Sequence, residues 1–154
     1  MTTLLCLLRH GRATGQGSDA PLLPEGETYV ATLGRRLAGE GFKPAAAFSS
    51  PYLRARDTAN ILLGELGSSV PLVIVRKLQP ESRPTDALEA LFELGIPEGR
   101  VLVVSHLPLI GQLVHGFTGE TVDFQPGTYV EVELDAEKLG GVLLRSIGPD
   151  DPVG

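Results

Sequence analysis

Short unbroken apolar runs alternate with longer stretches whose apolar residues recur at helical spacing. Leu4-Leu5-Cys6-Leu7-Leu8 and Val101-Leu102-Val103-Val104 are the clearest runs. Runs of this length bounded by turns are what strands buried on both faces look like. Ala45–Phe48 and Leu72–Val75 are shorter runs of the same kind. Between them the spacing predicts a helix over Glu25–Glu40, with Val30, Leu33 and Leu37 on one stripe and Gly41 as its stop. A second helix is predicted over Tyr52–Glu65, with Leu53, Ala59, Ile61 and Leu62 near one side. A Pro-containing loop follows over Lys77–Pro84. A third helix is predicted over Asp86–Leu94, with Leu88, Leu91 and Phe92 inward, and a fourth over Pro108–Phe117. Tyr129–Leu134 and Val142–Ile147 are expected as edge or antiparallel strands.

Strands alternating with helices predict an α/β, three-layer sandwich, with a mostly parallel sheet covered by helices on both faces. The 154 residues contain no internal repeat, so one domain over residues 1–148 is expected, with a flexible tail over 149–154. Glycine and proline are scattered between the apolar runs, where they punctuate a compact fold.

Charge narrows the function classes. A net charge of −6 and no basic cluster argue against nucleic-acid binding, which needs a surplus of Lys and Arg. Cys6 is the only cysteine, so neither an intrachain disulfide nor a cysteine-based metal cluster can form. In mid-strand it is expected to be a buried, inert thiol. The N-terminal apolar run lacks a basic flank and is too short for a signal peptide, and no stretch approaches a membrane span. A cytoplasmic location and a monomeric state are expected.

Candidate chemistry collects at strand ends. The first strand delivers Arg9 and His10, the second leads through Ser49-Ser50-Pro51 to Arg54, and the fourth delivers His106. In open α/β sheets ligands bind beyond the carboxyl ends of the strands, so these four can converge on one crevice. Two guanidiniums suit a phosphoryl group. One histidine can attack phosphorus through a ring nitrogen while the other donates a hydrogen bond to a phosphoryl oxygen. Cationic side chains neutralise the developing charge in this scheme, so no metal or other cofactor is needed.

Three separated segments carry a resemblance. Leu8-Arg9-His10-Gly11, Ser49 through Ala59, and Val103 through Ile110 are similar to the histidine phosphatase, or phosphoglycerate-mutase-like, superfamily. Leu23-Pro24-Glu25-Gly26 at the first helix also matches. Within that superfamily the chain most resembles the small SixA-type phosphohistidine phosphatases, through Arg9 to Ala13, Ser105 to Leu109, and Leu78 to Pro80. Asp57 departs from the family, which usually has Gln there. The mutase-like branch carries a long insertion with a proton-donating Glu, for which this chain has no room. The resemblance implies that His10 is the nucleophile, that Arg9, Arg54 and His106 bind the phosphoryl oxygens, and that water hydrolyses the phosphohistidine enzyme. The helix after Leu107 is expected to add its free N–H groups to the anion site, with Ser105 as its cap.

Other residues have plainer expectations. Glu81 is a possible general acid in the loop after Pro80, and Asp19 is the other acid within the same reasoning. Arg12 is expected to be a solvated charge or a substrate contact, Arg83 a surface charge, and His115 a packing or surface residue. Thr14, Ser18 and Asp19 are candidates for the pocket mouth. Three functions follow: a phosphatase acting on phosphohistidine of a phosphotransfer-type protein, a small-molecule phosphomonoesterase using Glu81, or a non-catalytic phosphate- or phosphoprotein-binding module. An imidazole leaves phosphorus more easily than an alkoxide, which favours the first where no acid is evident.

Overall fold

The computed structural model describes residues 2–149. Its strands are β1 (Thr3–Arg9), β2 (Pro44–Ser49), β3 (Leu72–Ile74), β4 (Gly99–Ser105), β5 (Tyr129–Leu134) and β6 (Gly141–Ile147). The helices are α1 (Pro24–Gly39), α2 (Leu53–Leu66), α3 (Pro84–Leu94) and α4 (Leu109–Thr118). One six-stranded sheet runs in the order β3-β2-β4-β1-β5-β6. The four strands from β3 to β1 are parallel, and β5 and β6 continue the sheet antiparallel. This is the three-layer architecture that the alternating runs predict. The expected tail lies outside the described residues apart from Pro149.

The two-residue period of a strand explains the layers. Leu5 and Leu7 of β1, with Val101 and Val103 of β4, face a core built with Leu91 of α3 and Leu113 of α4. Cys6 and Leu8, with Leu102 and Val104, face the opposite core, built with Leu33 of α1 and Leu62 of α2. Cys6 is fully buried, and burial pushes its thiol up to about 12, so it is inert as expected. Among the described residues no helix is long and apolar enough to cross a membrane.

Three local expectations are corrected. β3 stops at Ile74, and the chain tightens into a single 3-10 turn over Arg76–Leu78, where a loop is expected from Lys77. α3 starts at Pro84, ahead of Asp86, because proline's fixed φ and missing N–H suit the first helical position. Phe92 does not face inward. Ala87 and Leu91, four apart, take the buried stripe of α3, and Phe92 sits about 100° round the helix from Leu91, 40% exposed.

Candidate active site

Strand register brings the site together. Arg9 of β1 is paired with Ser105 of β4, and Ser49 of β2 with Val104. The next residues outward are therefore His10, His106 and Ser50, side by side at the carboxyl edge. The His10 N–H donates to the Ser105 carbonyl at 3.1 Å, and the Ser50 N–H donates to the Val104 carbonyl at 3.1 Å. The two imidazole centroids lie 5.0 Å apart. Arg54, in the first turn of α2, directs Nε to within 3.3 Å of His10 Nε2.

The proton on His10 follows from its neighbours. Nδ1 lies 2.8 Å from the Gly11 carbonyl, which can only accept, so Nδ1 carries the hydrogen. Nε2 then holds the lone pair that receives Arg54 Nε–H. Thr58 reinforces this corner: its hydroxyl accepts from the Gly11 N–H at 3.0 Å and donates to the Arg54 carbonyl at 2.8 Å. Burial lowers His10 to about 4; the Gly11 bond opposes the shift, while the charges of Arg54 and Arg9 add to it. His10 is therefore a neutral base at neutral pH, with its Nε2 lone pair turned toward Arg54 Nε–H.

His106 is held from another side. Its Nε2 lies 2.7 Å from Ser50 Oγ, and the Tyr52 ring packs edge-on at 4.8 Å between centroids. The Arg54 guanidinium sits 4.8 Å over the same Tyr52 ring. Burial, then His10, Arg54 and Arg9, lower His106 to about 3. Arg54 Nη1 donates to the Gly17 carbonyl at 2.8 Å and to the Gln16 carbonyl at 3.3 Å. Arg9 Nη1 donates to the Phe124 carbonyl at 2.8 Å. Burial lowers both guanidinium pKa values, yet arginine keeps its charge in proteins.

Two nitrogens stand out at this edge. Arg9 Nε and His106 Nδ1 are buried and have no hydrogen-bond partner in the protein. Buried polar groups are rarely left so, and both residues line a cleft of about 690 Å³. Two cations and a histidine nitrogen around one basic imidazole form a site for a tetrahedral anion. Among the described residues, no three His, Cys, Asp or Glu side chains gather where they could hold a metal.

The structure gathers Arg9, His10, Arg54 and His106 into this cleft. Glu81 and Arg12 lie exposed on its lining. Thr14, Ser18 and Asp19 do not line it; Gly15 and Gln16 do so instead. The backbone of that loop is spent on other bonds, Thr14 N–H to Pro21 O and Leu53 N–H to Ser18 O. Ser105 does not cap α4. Its hydroxyl donates to the Leu78 carbonyl at 2.8 Å, and α4 starts at Leu109 with Pro108 before it. His115 is exposed, and Arg83 pairs with Asp86 at 3.2 Å on the surface. Sequence reasoning missed Ser50, Tyr52 and Thr58 as site residues; the first two stand in the Ser-Ser-Pro-Tyr turn that leads to Arg54.

Fold and site together define a phosphoryl-binding α/β protein with a buried, neutral histidine at its centre, and the chain belongs to the histidine phosphatase superfamily, branch 1, whose family model matches residues 5–80. It is 32% identical to the phosphohistidine phosphatase SixA of Escherichia coli K12 over 146 residues, 87% of each chain. The structure of the protein histidine phosphatase SixA complexed with tungstate superposes with a TM-score of 0.84 at 28% identity, covering 95% of this chain and 97% of that one. The fold is also that of a phosphohistidine phosphatase SixA from Nakamurella multipartitia, with a TM-score of 0.79 at 22% identity over 98% of each chain.

Proposed function

We propose that this chain removes the phosphoryl group from phosphohistidine on a signalling protein of the phosphotransfer type, through a phosphorylated His10 and without a metal. His10 Nε2 attacks phosphorus as the N–P bond of the substrate breaks. The leaving imidazole, protonated on its other nitrogen, departs neutral. Arg9, Arg54 and His106 Nδ1 hold the phosphoryl oxygens through the transfer. Water then attacks the phosphorus on His10, orthophosphate leaves, and Nε2 regains its lone pair. The observation that carries this reading is the geometry of His10: its Nε2 lone pair faces Arg54 Nε, the His106 ring lies 5.0 Å away, and its proton is tied to Gly11. The likeness to SixA supports the substrate class.

Glu81 supports a second reading. It is the one carboxylate lining the cleft among the described residues, and an alkoxide leaving group needs such an acid. Comparing kcat/KM for a phosphohistidine protein and for sugar and nucleotide monophosphates, in wild type and Glu81→Gln, separates the two. Phosphohistidine should be the better substrate, and Glu81→Gln should leave its hydrolysis nearly unchanged. A strong phosphomonoesterase activity removed by Glu81→Gln would make Glu81 the donor and the small-molecule reading correct. Quenched turnover should trap phosphate on His10 in an acid-labile, base-stable bond, and His10→Ala should abolish turnover.

A further inference from the structure

We propose that Ser50 is a positioning residue that fixes the proton of His106 on Nδ1, so that a neutral imidazole presents a donor to the phosphoryl group. Its consequence for rate rests on the phosphatase reading above; its geometry does not. Ser50 follows the last residue of β2, and β2 pairs with β4. That adjacency sets its fully buried hydroxyl against His106 Nε2 at 2.7 Å.

A hydroxyl has one proton and two lone pairs. Ser50 Oγ already accepts from the Tyr52 N–H at 3.2 Å, which uses one lone pair and limits its rotation. Its proton then has His106 Nε2 as acceptor. The opposite assignment, with hydrogen on Nε2, makes Ser50 accept twice and leaves its own proton without a bond. It also turns the Nδ1 lone pair toward phosphoryl oxygens, which are themselves acceptors. A doubly protonated ring is opposed by burial and by the neighbouring His10 and two guanidiniums. Only Nδ1–H lets a neutral His106 bind an anion, and the tautomer of a histidine is set by the bond its other nitrogen makes. Nδ1 is also the ring nitrogen left buried without a protein partner beside the cleft.

The test is the 15N-detected imidazole spectrum of the whole chain at neutral pH, with and without inorganic tungstate, read for wild type, Ser50→Ala and Ser50→Thr. Wild-type His106 should carry hydrogen on Nδ1. Ser50→Ala should move it to Nε2 or mix the two forms, weaken tungstate binding, and lower kcat roughly tenfold to a hundredfold with a smaller change in KM. Ser50→Thr, which keeps the hydroxyl, should restore Nδ1–H and most of kcat. A wild-type spectrum with hydrogen on Nε2 would overturn the proposal even if Ser50→Ala failed to fold. So would Ser50→Ala with unchanged tautomer and kcat. A chain inactive on phosphohistidine still reports its tautomer, so the two readings fail separately.

Discussion

At the residue scale the decisive quantity is the protonation of His10. An unperturbed histidine titrates at about 6.5. Burial first, and then Arg54 and Arg9, bring His10 down to about 4. In the proposed mechanism the neutral form attacks, so activity should be present above the folded pKa and be lost as pH falls through it. The acid limb of kcat/KM, which reports the free enzyme, should lie well below 6.5, near 4. Arg54→Ala removes a charge that favours the neutral ring, so the limb should move up even as phosphate binding weakens. A limb that stays at 6.5 in wild type would mean that His10 is not the group being titrated. Arg9, His10, Arg54 and His106 were legible in the sequence because their side chains announce anion chemistry and sit at strand ends. Ser50 and Thr58 were not, since a hydroxyl carries no sign of what it faces. The carbonyls of Gly11, Gln16, Gly17 and Phe124 were still less so, because every residue has one.

At the scale of elements, the site depends on how the loop after β1 is pinned to α1. Leu23 N–H donates to the Arg12 carbonyl at 2.8 Å, and Gly26 packs against the same residue. A Cβ on Gly26 would lie 2.5 Å from the Arg12 carbonyl oxygen and 3.0 Å from its nitrogen, against backbone that cannot swing aside. Gly26→Ala should therefore destabilise the chain by about 1–3 kcal/mol, as overpacking does, and lower kcat by displacing the segment just after His10. A urea melt reads the first effect and a rate assay the second; an unchanged midpoint would show that the loop yields freely. This contact was hidden in the sequence, where Gly26 reads only as part of a helix start. The strands were legible because their apolar runs are unbroken, and α1 because its stripe is regular. α3 was less so: Leu88, Leu91 and Phe92 are all apolar, and only packing decides which of them turns outward.

Across the whole molecule, keeping two histidines neutral under the sheet edge ties stability to pH. His10 is 8% exposed and His106 1%. Both titrate lower in the folded chain, to about 4 and about 3, than the unfolded value of about 6.5. Between those limits the unfolded chain binds protons that the folded chain does not. Stability from these two groups is therefore fully present above about 6.5 and is lost as pH falls toward 4 and 3. The loss should be roughly 1–2 kcal/mol for each group between pH 6.5 and pH 5, before most carboxylates titrate. Urea unfolding of wild type at pH 7 and pH 5 should show the decline, and His10→Gln and His106→Gln should each flatten it. Equal slopes in all three chains would mean that neither histidine is held neutral by the fold. Both the attacking base and the neutral donor inferred for this cleft would then lose their physical basis.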